Sequence, residues 1–176
     1  MPSESRESEK IGKAIGFHVC IQYNASEATT EDSRVSEDNP VRIRIVYFSQ
    51  FKGATERLAD AIAEGARRVP GTDVALIRCE DAPAHWADLH AADAIVFGSP
   101  TYIGGPAAGF KAFIEQLAGE VWLKRMWLNK VSAGFTVSAG RSGDKMACLQ
   151  QLSTFAAQLG MIWVPMRITG GNYSST

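Results

Sequence analysis

Cysteine is scarce in this chain and badly placed for crosslinking. Cys20, Cys79 and Cys148 are odd in number, far apart and without a CxxC spacing, which argues against a disulfide framework or a zinc knuckle and fits a reducing cytoplasm. Charge of one sign is lacking too. With 18 Lys and Arg against 19 Asp and Glu, the formal net charge is -1, so the basic excess that nucleic-acid backbones or anionic membranes select is missing. Nucleic acid is therefore a poor partner. No long hydrophobic run occurs either: the patch IGKAIGFHVCIQY is interrupted by Lys13 and falls short of the roughly 20 residues of a membrane span. The MPSESRESEK before it is acidic where a secretory signal would be basic, so no targeting segment is expected. The sequon at Asn24 then reads as coincidence. Neither a Walker A motif nor a full GxGxxG is present, which disfavours a P-loop NTPase and a dinucleotide-binding Rossmann domain.

What is present suffices for one domain. A chain of 176 residues, 45% hydrophobic and 21% charged, can bury one sizeable core, and its length argues against a second full domain. Residues 1–40 are dense in Ser, Glu, Asp and Thr and close on Pro40, so a largely disordered extension is expected there, with Ile11 to Tyr23 as a possible small accretion. The compact domain is expected over 41–176.

Within it, short apolar runs alternate with stretches of helical spacing. The runs are Val41 to Phe48, Asp73 to Ile77, Ala94 to Ser99, Ser132 to Ser138 and Met161 to Pro165. Between them, Leu58, Ala61, Ile62, Gly65, Ala66 and Val69 predict one helix face, Phe110, Phe113, Ile114 and Leu117 a second, and Cys148, Leu149, Leu152, Phe155, Ala156 and Leu159 a third. Strands apolar on both faces and joined by crossover helices imply a doubly wound α/β fold around a five-stranded parallel sheet.

Ligands of such sheets bind beyond the carboxyl ends of the strands. The first strand ends in SQFKGAT, where a helix amino terminus, the hydroxyls of Ser49 and Thr55, the close backbone of Gly53 and the charge of Lys52 would suit a phosphate. A plain strand-to-helix connection capped by Thr55 fits the same residues. Two more glycine-bearing loops, SPTYIGGPAAGF and SAGRSGDK, follow the third and fourth strands and should converge on the same edge. Tyr102 and Ile103 offer a flat and a bulky apolar surface, and the glycines expose backbone groups to a heteroaromatic edge. Phosphate at one loop and a ring at the other two describe a mononucleotide.

Together these residues resemble the flavodoxin-like superfamily, and within it the WrbA-type NAD(P)H:quinone oxidoreductases and related NADPH-dependent FMN reductases. The resemblance covers Val41 to about Pro165 and implies FMN as cofactor, with NAD(P)H and a quinone as substrates and a homo-oligomer, dimer or tetramer, as a possible assembly. It assigns FMN phosphate contacts to Ser49, Gln50, Lys52, Gly53, Ala54 and Thr55, and ring contacts to Pro100, Thr101, Tyr102, Ile103 and Gly104. Ser138, Ala139, Gly140, Arg141 and Gly143 form the third flavin loop. Phe51 and Trp122 would face substrate, although an aromatic packed under a long loop describes Trp122 equally well; Trp127 is expected in the core or an interface. The sequence departs from the family pattern in three places. Its phosphate loop is one residue longer than usual, Gln158 and Leu159 replace a histidine pair, and GGNYSST takes the place of a final apolar helix, which is expected to leave one sheet face partly bare.

Such chemistry needs no side-chain acid, base or nucleophile, because the flavin carries it. His18, His85 and His90 accordingly read as surface residues, and Asp81, Asp88 and Asp93 as a solvated helix and turn. Two other functions stay open: an electron-carrying flavodoxin, which the near-neutral charge disfavours, and a flavin-free binding module.

Overall fold

The computed structural model describes residues 40–50, 53–140 and 144–165. The expected amino-terminal extension and the expected bare face beyond the last strand fall outside the described residues.

Strand β1 (Val41–Tyr47) leads to helix α1 (Ala54–Arg67), and β2 (Thr72–Arg78) to a 3-10 turn (Cys79–His85) and α2 (Trp86–Ala91). Then come β3 (Ala94–Tyr102), the short β4 (Gly105–Pro106), α3 (Ala108–Gln116), α4 (Glu120–Leu123), β5 (Val131–Val137), α5 (Lys145–Gln158) and β6 (Ile162–Trp163). The order across the sheet is β2-β1-β3-β5-β6, with β4 hanging off β3. All pairs on the main path are parallel, so the winding reverses beside β1 and the doubly wound architecture holds. Each face carries its own apolar cluster, one built on Val46, Phe97, Phe110 and Trp127 and the other on Ile45, Ala59, Val96 and Phe135.

Three local expectations are corrected. Helix α1 buries Thr55, Ala59, Ala63 and Ala66, whereas Leu58 stays 36% exposed and Ala61 and Gly65 face outward. Alanine occurs on every side of this helix, so apolarity alone could not fix its rotation; small side chains on the buried face let the backbone lie close to the sheet. Secondly, β1 is not apolar throughout, because Arg44 is only 5% exposed. Its guanidinium is satisfied by Asp73 at 2.8 Å and Asp88 at 2.7 Å, and the latter is thereby a structural counter-charge.

The third correction concerns His90, which is half-buried. Trp86 stacks on it at 6.1 Å, and Trp127 donates its indole N-H to His90 Nδ1 at 3.0 Å. Burial, then the nearby Lys130 ammonium, pushes His90 below its ordinary value of 6.5, against a small opposing pull from Glu120. Protonation at Nδ1 would also end the indole bond. Below about pH 6.5 the unfolded chain binds this proton more readily than the folded one, so stability should fall as pH drops from there toward the lower folded value. Urea denaturation across pH 5 to 7 tests this, and the slope should flatten in His90→Gln.

Candidate functional site

Because β1, β3 and β5 are parallel neighbours, their carboxyl ends lie on one edge. Backbone and side-chain bonds tie the loops there together. Phe48 N-H donates to Gly98 O at 2.9 Å, and the hydroxyls of Thr101 and Thr136 meet at 2.7 Å. The Ser99 hydroxyl accepts from Ala107 N-H at 2.9 Å. The described parts of the three loops therefore start from one edge, as expected.

At the first loop, the residue capping α1 is Gly53, with φ of 64° and no capping side chain. Thr55 is the second residue of the helix and is 2% exposed, so it is not the capping residue. The first N-H groups of α1 thus point beyond the helix without a side-chain acceptor. Beside them, Ser49 Oγ is buried and is, among the described residues, the one buried side-chain polar atom without a hydrogen-bond partner. An orphaned buried hydroxyl next to uncapped helical amides at the positive end of a dipole fits a phosphate. Gln50 is exposed and Ala54 half-buried; Phe51 and Lys52 lie outside the described residues.

Arg78, which the sequence pattern did not single out, reaches this loop from the end of β2. It donates to Ser49 O at 2.9 Å and pairs with Glu80 at 3.3 Å. It also lies 3.9 Å from Glu56 and 6.0 Å over the Tyr47 ring. The Tyr47 hydroxyl donates to Glu56 at 3.3 Å, and burial followed by the Glu56 carboxylate raises the phenol above its usual range. Arg78 stands one residue beyond the apolar run Asp73 to Ile77 and closes β2, so no pattern in the sequence marked it. Nearby Cys79 is buried, and that burial pushes its thiol far up.

The second loop is tighter than its sequence suggests. Pro100, Thr101 and Tyr102 continue β3, and Tyr102 pairs with Gly105, leaving Ile103 and Gly104 as a two-residue hairpin turn. Their φ values are 48° and 78°, both positive as a type I′ turn requires. Glycine suits the second position, but a β-branched residue at the first is strained. Ile103 is nonetheless fully exposed at 103%, so nothing among the described residues repays the strain. Ile103→Asn is expected to raise cofactor-free stability in urea by about 1 kcal/mol and to weaken flavin binding; unchanged stability would mean that the turn is relaxed. Pro100 and Thr101 are buried, which leaves their backbone, and the 39% exposed Tyr102, to face a ligand.

The third loop begins at Ser138, which donates to Gly140 O at 3.1 Å; Ala139 and Gly140 are exposed, and Arg141 and Gly143 lie outside the described residues. Trp122, on α4, is 49% exposed, and Trp127 is fully buried. Gln158 is exposed and Leu159 buried in the core, so Leu159 serves packing. Among the described residues no group of His, Cys, Asp and Glu could hold a metal ion, and no helix is long and apolar enough to cross a membrane.

A family model described as NADPH-dependent FMN reductase matches residues 42–173. Flavodoxin FldP of Pseudomonas aeruginosa is 38% identical over 136 residues, 75% of this chain and 70% of that protein. An NAD(P)H dehydrogenase (quinone) of Geobacter sulfurreducens is 31% identical over 146 residues, 70% of this chain and 71% of its own. Among solved structures, a flavodoxin, WrbA-like protein from Agrobacterium tumefaciens superposes with a TM-score of 0.63 at 41% identity, covering 70% of this chain and 76% of that one.

Proposed function

The chain belongs to the NADPH-dependent FMN reductase family, and from that premise we propose that it is an FMN-dependent oxidoreductase that uses NAD(P)H to reduce a quinone. The observation that carries the reading is the pairing of the orphaned Ser49 hydroxyl with the uncapped start of α1. These groups would hold the phosphate, together with Gln50, Lys52, Gly53, Ala54 and Thr55. The ring would lie between the turn formed by Tyr102, Ile103 and Gly104 and the loop from Ser138 through Gly143. Residues 41–176 would form the binding unit, in the cytoplasm and with the chain free to form homo-oligomers.

Bound FMN would supply the two-electron redox chemistry between a nicotinamide and the acceptor. The chain's own part is positional. Ser49 and the amides of α1 would anchor the phosphate end, and the part-buried Thr101 to Thr136 bond keeps the two ring loops in register. Ile103 presents an apolar surface where a ring can stack, and half-exposed Trp122, with Phe51, would offer an aromatic to a quinone or nicotinamide.

The 38% identity to a flavodoxin favours a second reading, an electron carrier between partner proteins. Oxidation of NADPH with benzoquinone by the purified flavoprotein, far faster than by free FMN, would establish the reductase. Slow turnover with rapid exchange to a partner reductase would establish the carrier. A colourless protein that takes up no added FMN would exclude both and leave a flavin-free module.

A further inference from the structure

Helix α5 opens with a residue of the wrong sign. Lys145 stands in its first turn, where the helix dipole disfavours a cation, and the capping Asp144 makes no side-chain bond there. The lysine instead reaches back to the third loop. Its Nζ donates to Ser138 Oγ at 2.7 Å and to the Gly140 carbonyl. Two turns further along the same helix, Gln151 donates its amide to Gly104 O at 3.2 Å, inside the strained hairpin of the second loop. The fit there is close: a Cβ added to Gly105 would lie 3.2 Å from the Gln151 amide, and one added to Gly104 would lie 3.9 Å from Asp144.

We infer that Lys145 and Gln151 are positioning residues by which α5 clamps the two ring loops at a fixed separation, so that the slot accepts a flat tricycle. This rests on the reading that a flavin ring lies between those loops. Both side chains bond backbone or hydroxyl oxygens of the two ring loops. They should therefore govern affinity for the ring and be indifferent to the phosphate. Lys145 acts through Ser138 and Gly140, and its charge satisfies carbonyl and hydroxyl acceptors that the exposed loop would otherwise turn to water.

The test is a pair of titrations on the full chain freed of flavin, following quenching of flavin fluorescence with FMN and with riboflavin, which lacks the phosphate. Lys145→Met and Gln151→Leu are each expected to weaken both ligands by the same factor, about tenfold, the loss of one good hydrogen bond. Lys145→Arg should stay within about threefold of the parent, since a guanidinium can donate to both oxygens. Circular dichroism of each variant without flavin should match that of the parent. Loss of FMN affinity with riboflavin unaffected would place Lys145 at the phosphate and overturn the clamp. Unchanged affinities in both variants would overturn it while leaving the flavin site intact. Failure of the parent chain to bind either flavin would instead remove the reading on which the clamp rests.

Discussion

Replacing Trp127 by alanine is expected to cost about 3–5 kcal/mol of stability, the range for deleting a large buried aromatic. The side chain is fully buried and sits at a crossroads. Its ring stacks on Phe97 at 6.4 Å and meets His90 edge-on at 6.3 Å, and Phe97 in turn packs against Phe110 and Phe155. Removing the indole opens a cavity that three rigid rings cannot collapse into, and it leaves His90 Nδ1 without its donor. Through Phe110 and Phe155 the same cluster seats α3 and α5, so the loops joined to those helices should loosen as well. Urea denaturation of the flavin-free protein measures the loss. Trp127→Phe should recover more than half of it, because most of the buried area returns without the N-H bond. A loss below about 1.5 kcal/mol for alanine would mean that the cluster is not the cooperative centre of that face.

Ser49→Ala is expected to move two quantities in opposite directions. Without cofactor, the hydroxyl is buried and unpartnered, a state that costs about 1 to 3 kcal/mol, so its removal should stabilise the flavin-free fold by about 1 kcal/mol or more. With FMN bound, the same hydroxyl would donate to a dianion, and such a bond contributes about 1.5 to 3 kcal/mol. FMN affinity should fall by about that amount. Denaturation without flavin and a fluorescence titration with it give the two signs separately. A destabilised flavin-free protein with unaltered FMN affinity would assign Ser49 to the scaffold and dissolve the phosphate site. The opposition is what a preorganised binding site predicts, since the fold carries a polar group that only its ligand satisfies.

Ser49, Gly53 and Thr55 stood out in the sequence as a hydroxyl-rich, glycine-bearing loop between an apolar strand and a helical stripe, a pattern that suits a phosphate and equally a plain strand-to-helix connection. The strand-helix alternation was legible for a related reason: burial on both faces of a parallel strand suppresses polar residues along its whole length. Arg44 broke that rule invisibly. Its two carboxylate partners are remote in sequence, and only the sheet brings them within reach. Ile103 looked like a ring contact by residue type, but nothing in PTYIGGP announced that it would occupy a turn position with positive φ.

By itself the sequence determined the order of the five main strands and of three helices between them, the parallel sheet and the edge on which three loops start, because period and turn chemistry are local properties of the chain. The tertiary structure alone decided which face of α1 is buried, where Arg44 and His90 find their partners, and how Lys145, Gln151 and Arg78 reach loops from other elements. Those facts depend on side chains separated along the chain and adjacent in space. Their partners are chosen by packing, which no local pattern records.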